Sequence, residues 1–314
     1  MHSHTHANTT GRKLQFSLWI TVVFIVIEFV AGIKADSLAL LSDAGHNFTD
    51  ALALGLAWFA FYLQSKPPDT AKTFGYQRAG VLSAFVNAVT LVALAFFIFY
   101  ESYQRFLAPR EVQETIMIAV ASAGLVVNIC VMIALHADSR HDINIRGAFV
   151  HMLGDALSSV GIIVGGVVIA YTRLPWIDPL LSVLIGLLIL WSAWDIIRES
   201  LNILLEGSPR GMDHENVCQA LTEVEGVVDV HDLHIWSLSS NAHALSCHAL
   251  INDLPPSASE QILQRINLVL DKSFSIRHTT IQFEHVRCEH AESICSNHAA
   301  EEVEHHHWEG SALE

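Results

Sequence analysis

Residues Ala79–Tyr100 read AGVLSAFVNAVTLVALAFFIFY, without a single Asp, Glu, Lys or Arg. A helix rises about 1.5 Å per residue, so about 20 such residues cross a hydrocarbon core of about 30 Å. Thr115–Leu135 is a second uncharged run of this kind. Backbone N–H and C=O groups cannot go unpaired in lipid, so these runs must be helices. The period-two alternation of a membrane barrel is missing from them. Of the 314 residues, 52% are hydrophobic and 16% charged, against about 25% charged in an ordinary soluble domain. A purely soluble protein is excluded. So is a nucleic-acid binder, because a formal net charge of −15 repels phosphate.

Outward from these two runs, four more spans can be read. They are about Leu14–Ile33, broken by Glu28; Ser37–Leu63, holding Asp43, His46 and Asp50; Asn144–Thr172, holding His151 and Asp155; and Ile177–Leu205. The two uncharged runs extend to about Ala79–Phe106 and Thr115–His136, so the spectrum of spans predicts a six-helix transmembrane domain over 14–205. The first eleven residues are polar and Leu14–Ile33 is too long for a signal-peptide core, so no cleavable signal is expected. Arg12, Lys13, Lys66, Lys72, Arg78, Arg140 and Arg146 fall on one side of such a bundle, and Lys34, Arg105, Arg110 and Arg173 on the other. That bias puts both termini in the cytoplasm.

The charge is uneven. Up to Leu205 there are 12 basic and 14 acidic residues; from Glu206 onward there are 5 and 18. The rear of the chain is an acidic tail, which either concentrates cations or simply stays soluble. Its pattern predicts a helix over Asp213–Glu225, strands over Val227–Leu238 and Ala242–Ile251, a helix over Ser257–Phe274 and a strand over Ile276–Val286. This αββαβ order suits a three-stranded sheet with two helices on one face, a small cytoplasmic α+β domain over 206–287. Residues 288–314 are acidic, His-bearing and without periodicity, which reads as disorder, and 1–13 form a His-bearing N-terminus. The five cysteines form no CxxC pair, and Cys130, in an apolar run, reads as a small core residue.

Only His46 and His151 of the 19 histidines lie well inside membrane spans, and each is followed four residues later by an aspartate: His46-Asn-Phe-Thr-Asp50 and His151-Met-Leu-Gly-Asp155. Residues i and i+4 share a helix face one turn apart. Two such faces opposed give two imidazole nitrogens and two carboxylates, a tetrahedral set suited to Zn²⁺. The charges also balance: one divalent cation offsets two aspartates that would otherwise be costly in a membrane. Small residues flank both pairs, Ser42, Ala44 and Gly45 around the first and Gly154, Ala156, Ser158 and Ser159 around the second. They suit helices that re-pack, and equally suit tight static packing.

The segments Ser37-Leu-Ala-Leu-Leu-Ser-Asp-Ala-Gly-His46-Asn-Phe-Thr-Asp50, Phe74-Gly-Tyr-Gln-Arg78, His151-x3-Asp155, Leu204-Leu-Glu-Gly207 and His231-Asp-Leu-His-Ile-Trp236 resemble the cation diffusion facilitator (CDF) family, in its bacterial zinc-efflux branch. The resemblance runs from about Leu14 to Cys288, with the motifs in order. It implies a homodimeric zinc exporter of the bacterial inner membrane, with six membrane helices, a ferredoxin-like cytoplasmic domain and exchange of Zn²⁺ for protons. Carried over residue by residue, the transport site falls on His46, Asp50, His151 and Asp155. The cytoplasmic ligands fall on His231, His248 and Glu284. His234, three residues after His231 on a strand, is expected on the opposite face. The loop Asp69-Thr-Ala-Lys72-Thr-Phe-Gly-Tyr76 lacks the histidines of some members, as does Ser257–Phe274. One metal per site is therefore expected.

Zn²⁺ is thus both transported substrate and regulatory ligand in this reading, with Cd²⁺ and other divalent cations as further candidates. Metal at the tail should draw two acidic tails together. Glu28 either lines a watery path or sits in a cleft. His2, His4, His6 and His305–His307 either collect metal or are solvated; Cys288, His290 and Cys295 either add ligands or belong to an exposed tail, the second being expected. An intramembrane zinc hydrolase is disfavoured by four convergent ligands and the lack of an HExxH base. A membrane-anchored metal sensor leaves the two buried HxxxD pairs unexplained.

Overall fold

The structure, a computed structural model, describes residues 21–136, 143–240 and 242–286, with backbone only at 134–136, 143–148, 150 and 151. It divides into two compact units, which part between Leu204 and Leu205.

The first unit is helical. Helix α1 is described over 21–35. It is followed by α2 (Leu38–Gln64), α3 (Ala79–Leu107), α4 (Glu114–His136), α5 (Ile143–Thr172) and α6 (Ile177–Leu204). Four stretches among the described residues are long and apolar enough to cross a membrane: Ala79–Leu107, Glu114–Ile133, Met152–Thr172 and Ile177–Leu204. Their outward faces carry large apolar side chains. Phe96, Phe97, Ile133, Leu157 and Trp191 are all exposed. A soluble monomer rarely shows so much contiguous apolar surface; in a bilayer that surface is the solvated one. Small residues sit inside, with Ala39, Ala88, Ala95, Ala121 and Ala193 in one buried cluster, which lets helix backbones approach. At Gly186 of α6 a Cβ atom would lie 2.6 Å from the Phe99 ring of α3, so this approach needs glycine.

Cys130 corrects the sequence reading: it is exposed on α4 rather than buried. Apolar neighbours along the chain imply burial only in a water-soluble helix. In a membrane helix they mark the lipid face equally well.

The start of α2 is pinned by side chains from two other helices. The fully buried Asp178 of α6 accepts from Ser37 Oγ at 2.6 Å, from the Leu38 amide at 2.7 Å and from the Ala39 amide at 3.3 Å. Arg105 of α3 lies 3.6 Å from Asp178 and 2.9 Å from Asp36. The α2 N-terminus supplies N–H groups and the positive end of its dipole. Together with Arg105 they make a buried carboxylate tolerable.

The second unit runs α7 (His214–Thr222), β1 (Val227–Ser239), β2 (Ala242–Ile251), α8 (Pro256–Phe274) and β3 (Ile276–Glu284). The sheet order is β1-β2-β3, with β1–β2 antiparallel and β2–β3 parallel. A parallel pair needs a crossover, and α8 is that crossover. Asp213 caps α7 by accepting from the Glu215 amide, and α8 stops at Ser275, which takes the left-handed conformation (φ 57°). Val217 and Leu221 of α7, and Ile262, Ile266 and Leu270 of α8, pack on Val230, Leu233, Ile235, Leu245 and Ile251 of the sheet.

The β1–β2 register carries one irregularity that matters. His231 pairs with His248, yet His234 pairs with Ser246. Three steps on β1 match two on β2, so β1 holds an extra residue there, a bulge. Asp232 sits in it at φ 53°, a conformation that Asp tolerates better than most side chains. Simple alternation puts His234 across the sheet from His231. The bulge instead returns it to the same face, while Leu233 stays in the core.

Candidate metal centre

Helix α2 presents Asp43, His46 and Asp50 on successive turns, and α5 presents residues 151, 155 and 158. Side-chain contacts join the helices. Ser158 Oγ donates to Asp43 Oδ1 at 2.6 Å, and His46 Nε2 lies 3.9 Å from Asp155 Oδ1. Residue numbers rise on one helix as they fall on the other, so the two run antiparallel. The side chain of His151 lies outside the described residues; its backbone lies in α5.

Within α2, His46 Nε2 lies 3.5 Å from Asp50 Oδ2. Zn–N and Zn–O bonds of about 2.0 Å make the edge of a ligand tetrahedron about 3.3 Å. Both distances from His46 are close to that edge. Asp155 is buried, whereas His46 and Asp50 are about a fifth to a quarter exposed, so the group opens toward the Asp50 end. Beside it, Glu28 of α1 is buried near Asp43 and accepts from Asn47 Nδ2 at 3.2 Å. The structure thus places Glu28 next to the ligand helix, a contact the sequence left undecided.

In the second unit the three residues carried over from the family meet. His231, His248 and Glu284 each offer a ligand atom, all within 4.8 Å of one another, and they form the one such group of three among the described residues. Glu284 spans the pair, with Oε1 at 2.8 Å from His248 Nδ1 and Oε2 at 3.2 Å from His231 Nε2. His231 is 1% exposed, and among the described residues neither of its ring nitrogens makes a hydrogen bond. Polar atoms in that position carry a desolvation cost. A metal ion would accept one of them, so the donor set fits a divalent cation.

His234 stands apart from the three. Its Nε2 lies 3.0 Å from Asp232 Oδ1, and the other Asp232 oxygen is 3.8 Å from His248 Nε2. Both residues sit at the exposed rim of the group. No periodicity signals this, because the bulge that brings them there is a property of the β1–β2 pairing. Cys247, next to His248, faces the core. Burial, with Cys218 nearby, pushes its thiol up to about 12, so it stays protonated at neutral pH and is no thiolate ligand. His2, His4, His6, Cys288, His290, Cys295 and His305–His307 lie outside the described residues.

Two family models cover almost the whole chain. The cation efflux transmembrane domain matches residues 14–205, and the cation efflux protein cytoplasmic domain matches residues 209–286.

This chain belongs to the cation efflux family.

Among its relatives, zinc transporter ZitB of Pectobacterium atrosepticum is 41% identical over 308 residues, 98% of this chain and 93% of that protein. The cadmium, cobalt and zinc/H(+)-K(+) antiporter of Bacillus velezensis is 39% identical over 312 residues, 98% of this chain and 99% of that protein. The metal cation efflux system protein CzcD of Cupriavidus metallidurans is 38% identical over 292 residues, covering 93% and 92%. Membership makes this chain a multi-pass membrane transporter rather than an enzyme.

Proposed function

We infer that this protein exports cytoplasmic Zn²⁺ across a bacterial inner membrane in exchange for protons, through a four-ligand site of His46, Asp50, His151 and Asp155. The observation that carries this reading is His46, whose Nε2 lies 3.5 Å from Asp50 and 3.9 Å from Asp155 within an apolar helix bundle. The relatives named as zinc and zinc/H⁺ transporters support the cargo and the counter-ion. In this reading α1 and α2 complete six spans, both termini are cytoplasmic, and access to the site alternates between the two faces. Zn²⁺ binds only deprotonated ligands, and an imidazole titrates near pH 6.5. Protons arriving from the outer side therefore displace the metal and reset the site.

The second unit is read as a dimerising, ferredoxin-like regulatory domain over 206–287. Zn²⁺ at His231, His248 and Glu284 removes negative charge and braces β1, β2 and β3, favouring approach of two tails in a homodimer. Such a switch works only if zinc prefers one arrangement to the other. The test is purified protein in sealed liposomes holding a zinc-sensitive dye. Zinc uptake that accelerates with an imposed pH gradient supports the reading. Zinc binding without flux, or flux indifferent to the gradient, overturns it.

A further inference from the structure

Several hydroxyls in the helical unit return to a carbonyl on their own helix. Ser42 bonds Leu38 O, Thr90 bonds Val86 O, Ser182 bonds Asp178 O and Ser192 bonds Ile189 O. This is the ordinary way for Ser and Thr to satisfy themselves in a helix. Ser158 does otherwise. Its hydroxyl crosses from α5 to the Asp43 carboxyl group of α2 at 2.6 Å.

The place of this bond matters more than its length. In the antiparallel register, 43·158 lies one helical turn beyond 46·155, the contact that brings His46 within 3.9 Å of Asp155. Along this seam exposure falls from 25% at the Asp50 side chain to 19% at His46 and 6% at Asp155, and Asp43 is 3% exposed. The bond therefore lies where the α2 side of the seam is most buried, with Ser158 itself half-buried. Glu28 of α1 lies near Asp43 and accepts a hydrogen bond from Asn47 of α2 at 3.2 Å. Loss of the Ser158–Asp43 bond removes one of the polar contacts that hold the two ligand-bearing helices at their spacing.

We propose that Asp43 and Ser158 are positioning residues for transport: their hydrogen bond ties α2 to α5 at the buried end of the metal site and sets the spacing of the ligand pairs. The inference rests on His46, Asp50, His151 and Asp155 being the transport site, and it adds two residues that touch no metal. A hydrogen bond of this kind corresponds to about one order of magnitude in an equilibrium constant. Ser158→Ala should raise the KM for zinc about tenfold and leave Vmax within about twofold. Ser158→Thr, which keeps the hydroxyl, should restore the parent KM.

The experiment is initial-rate zinc uptake by the full chain in liposomes, for Ser158→Ala, Ser158→Thr, Asp43→Ala and the double variant Asp43→Ala/Ser158→Ala. Residues joined by one bond give non-additive effects, so the double variant should have a KM no higher than that of Asp43→Ala alone. A Ser158→Ala KM within twofold of the parent overturns the proposal. So do effects that multiply in the double variant, or a Thr variant as impaired as Ala. A lower Vmax at unchanged KM, the mark of poor folding, also counts against it. His46→Ala separates the two levels. If it transports zinc normally, the transport-site reading fails; if it is inactive while Ser158→Ala is normal, only the tie fails.

Discussion

His46 and Asp50 are four residues apart on one helix, whereas His231, His248 and Glu284 come from three strands whose order follows from a crossover helix. The two groups use the same chemistry, imidazole and carboxylate, in opposite settings. The helical group lies in an apolar bundle where every charge needs a partner. The strand group lies on the open face of a sheet, where exposed Asp232 and His234 stand at its rim. The first has half of its geometry built into α-helical periodicity. The second has none until the strands pair. The function proposed above divides labour between them: a site whose ligands are reset in each cycle, and a site that senses metal without carrying it.

The sharpest way to break that contrast is to remove one ligand from each group. His46→Ala or Asp155→Asn should lower zinc flux into liposomes at least a hundredfold, a loss of transport rather than a change of affinity. If the tail double variant His231→Ala/His248→Ala loses flux equally, the division of labour is wrong.

A second test asks whether every buried carboxylate of the bundle belongs to transport. Asp178 holds the start of α2 and faces Arg105. Asp178→Ala should cost about 3 kcal/mol of stability, because a buried pair loses one member. Asp178→Asn, whose side-chain oxygen still accepts, should cost less. Thermal unfolding of the purified variants measures both.

A third sharpens the tail side. His231→Ala/His248→Ala should weaken zinc binding to the tail at least tenfold while basal flux stays within about twofold. The measurement is inter-tail distance between spin labels during a zinc titration. Closure that matches the parent at equal zinc would remove these residues from the switch.

The smallest expected effect concerns His243 on β2, whose imidazole burial holds below its ordinary range. A depressed histidine means the unfolded chain binds the proton more readily. The stabilisation is present above about pH 6.5 and is lost as pH falls below it. Metal-free His243→Gln should therefore lose less of its unfolding temperature between pH 7 and pH 5.5 than the parent. Equal losses would show that the imidazole is not the group responsible.

Much of the helical unit was legible beforehand. α2, α3, α4, α5 and α6 begin and end within a residue or two of their expected places, because long, predominantly apolar runs in lipid must satisfy their backbone as helices. Cys130 was not legible, since apolar sequence does not separate the lipid face of a helix from its packed face. In the tail the strands Val227–Ser239 and Ala242–Ile251 follow their β-branched and alternating pattern. His234 was expected across the sheet and is not there, because the bulge at Asp232 is set by pairing with β2. Glu28 and Ser158 were legible only as polar residues in apolar spans; nothing in the sequence names Asp43 as their common partner.

The sequence by itself determined which segments are long apolar helices and which His and Asp share a helix face. Both follow from short-range physics: backbone satisfaction in lipid and 3.6 residues per turn. Only the tertiary structure decided that α2 and α5 meet in antiparallel register, that Ser158 reaches Asp43, and that Glu284 spans His231 and His248. These depend on which surfaces pack together, and packing is chosen among many apolar faces of similar composition by small differences in shape. Local spacing holds no record of that choice.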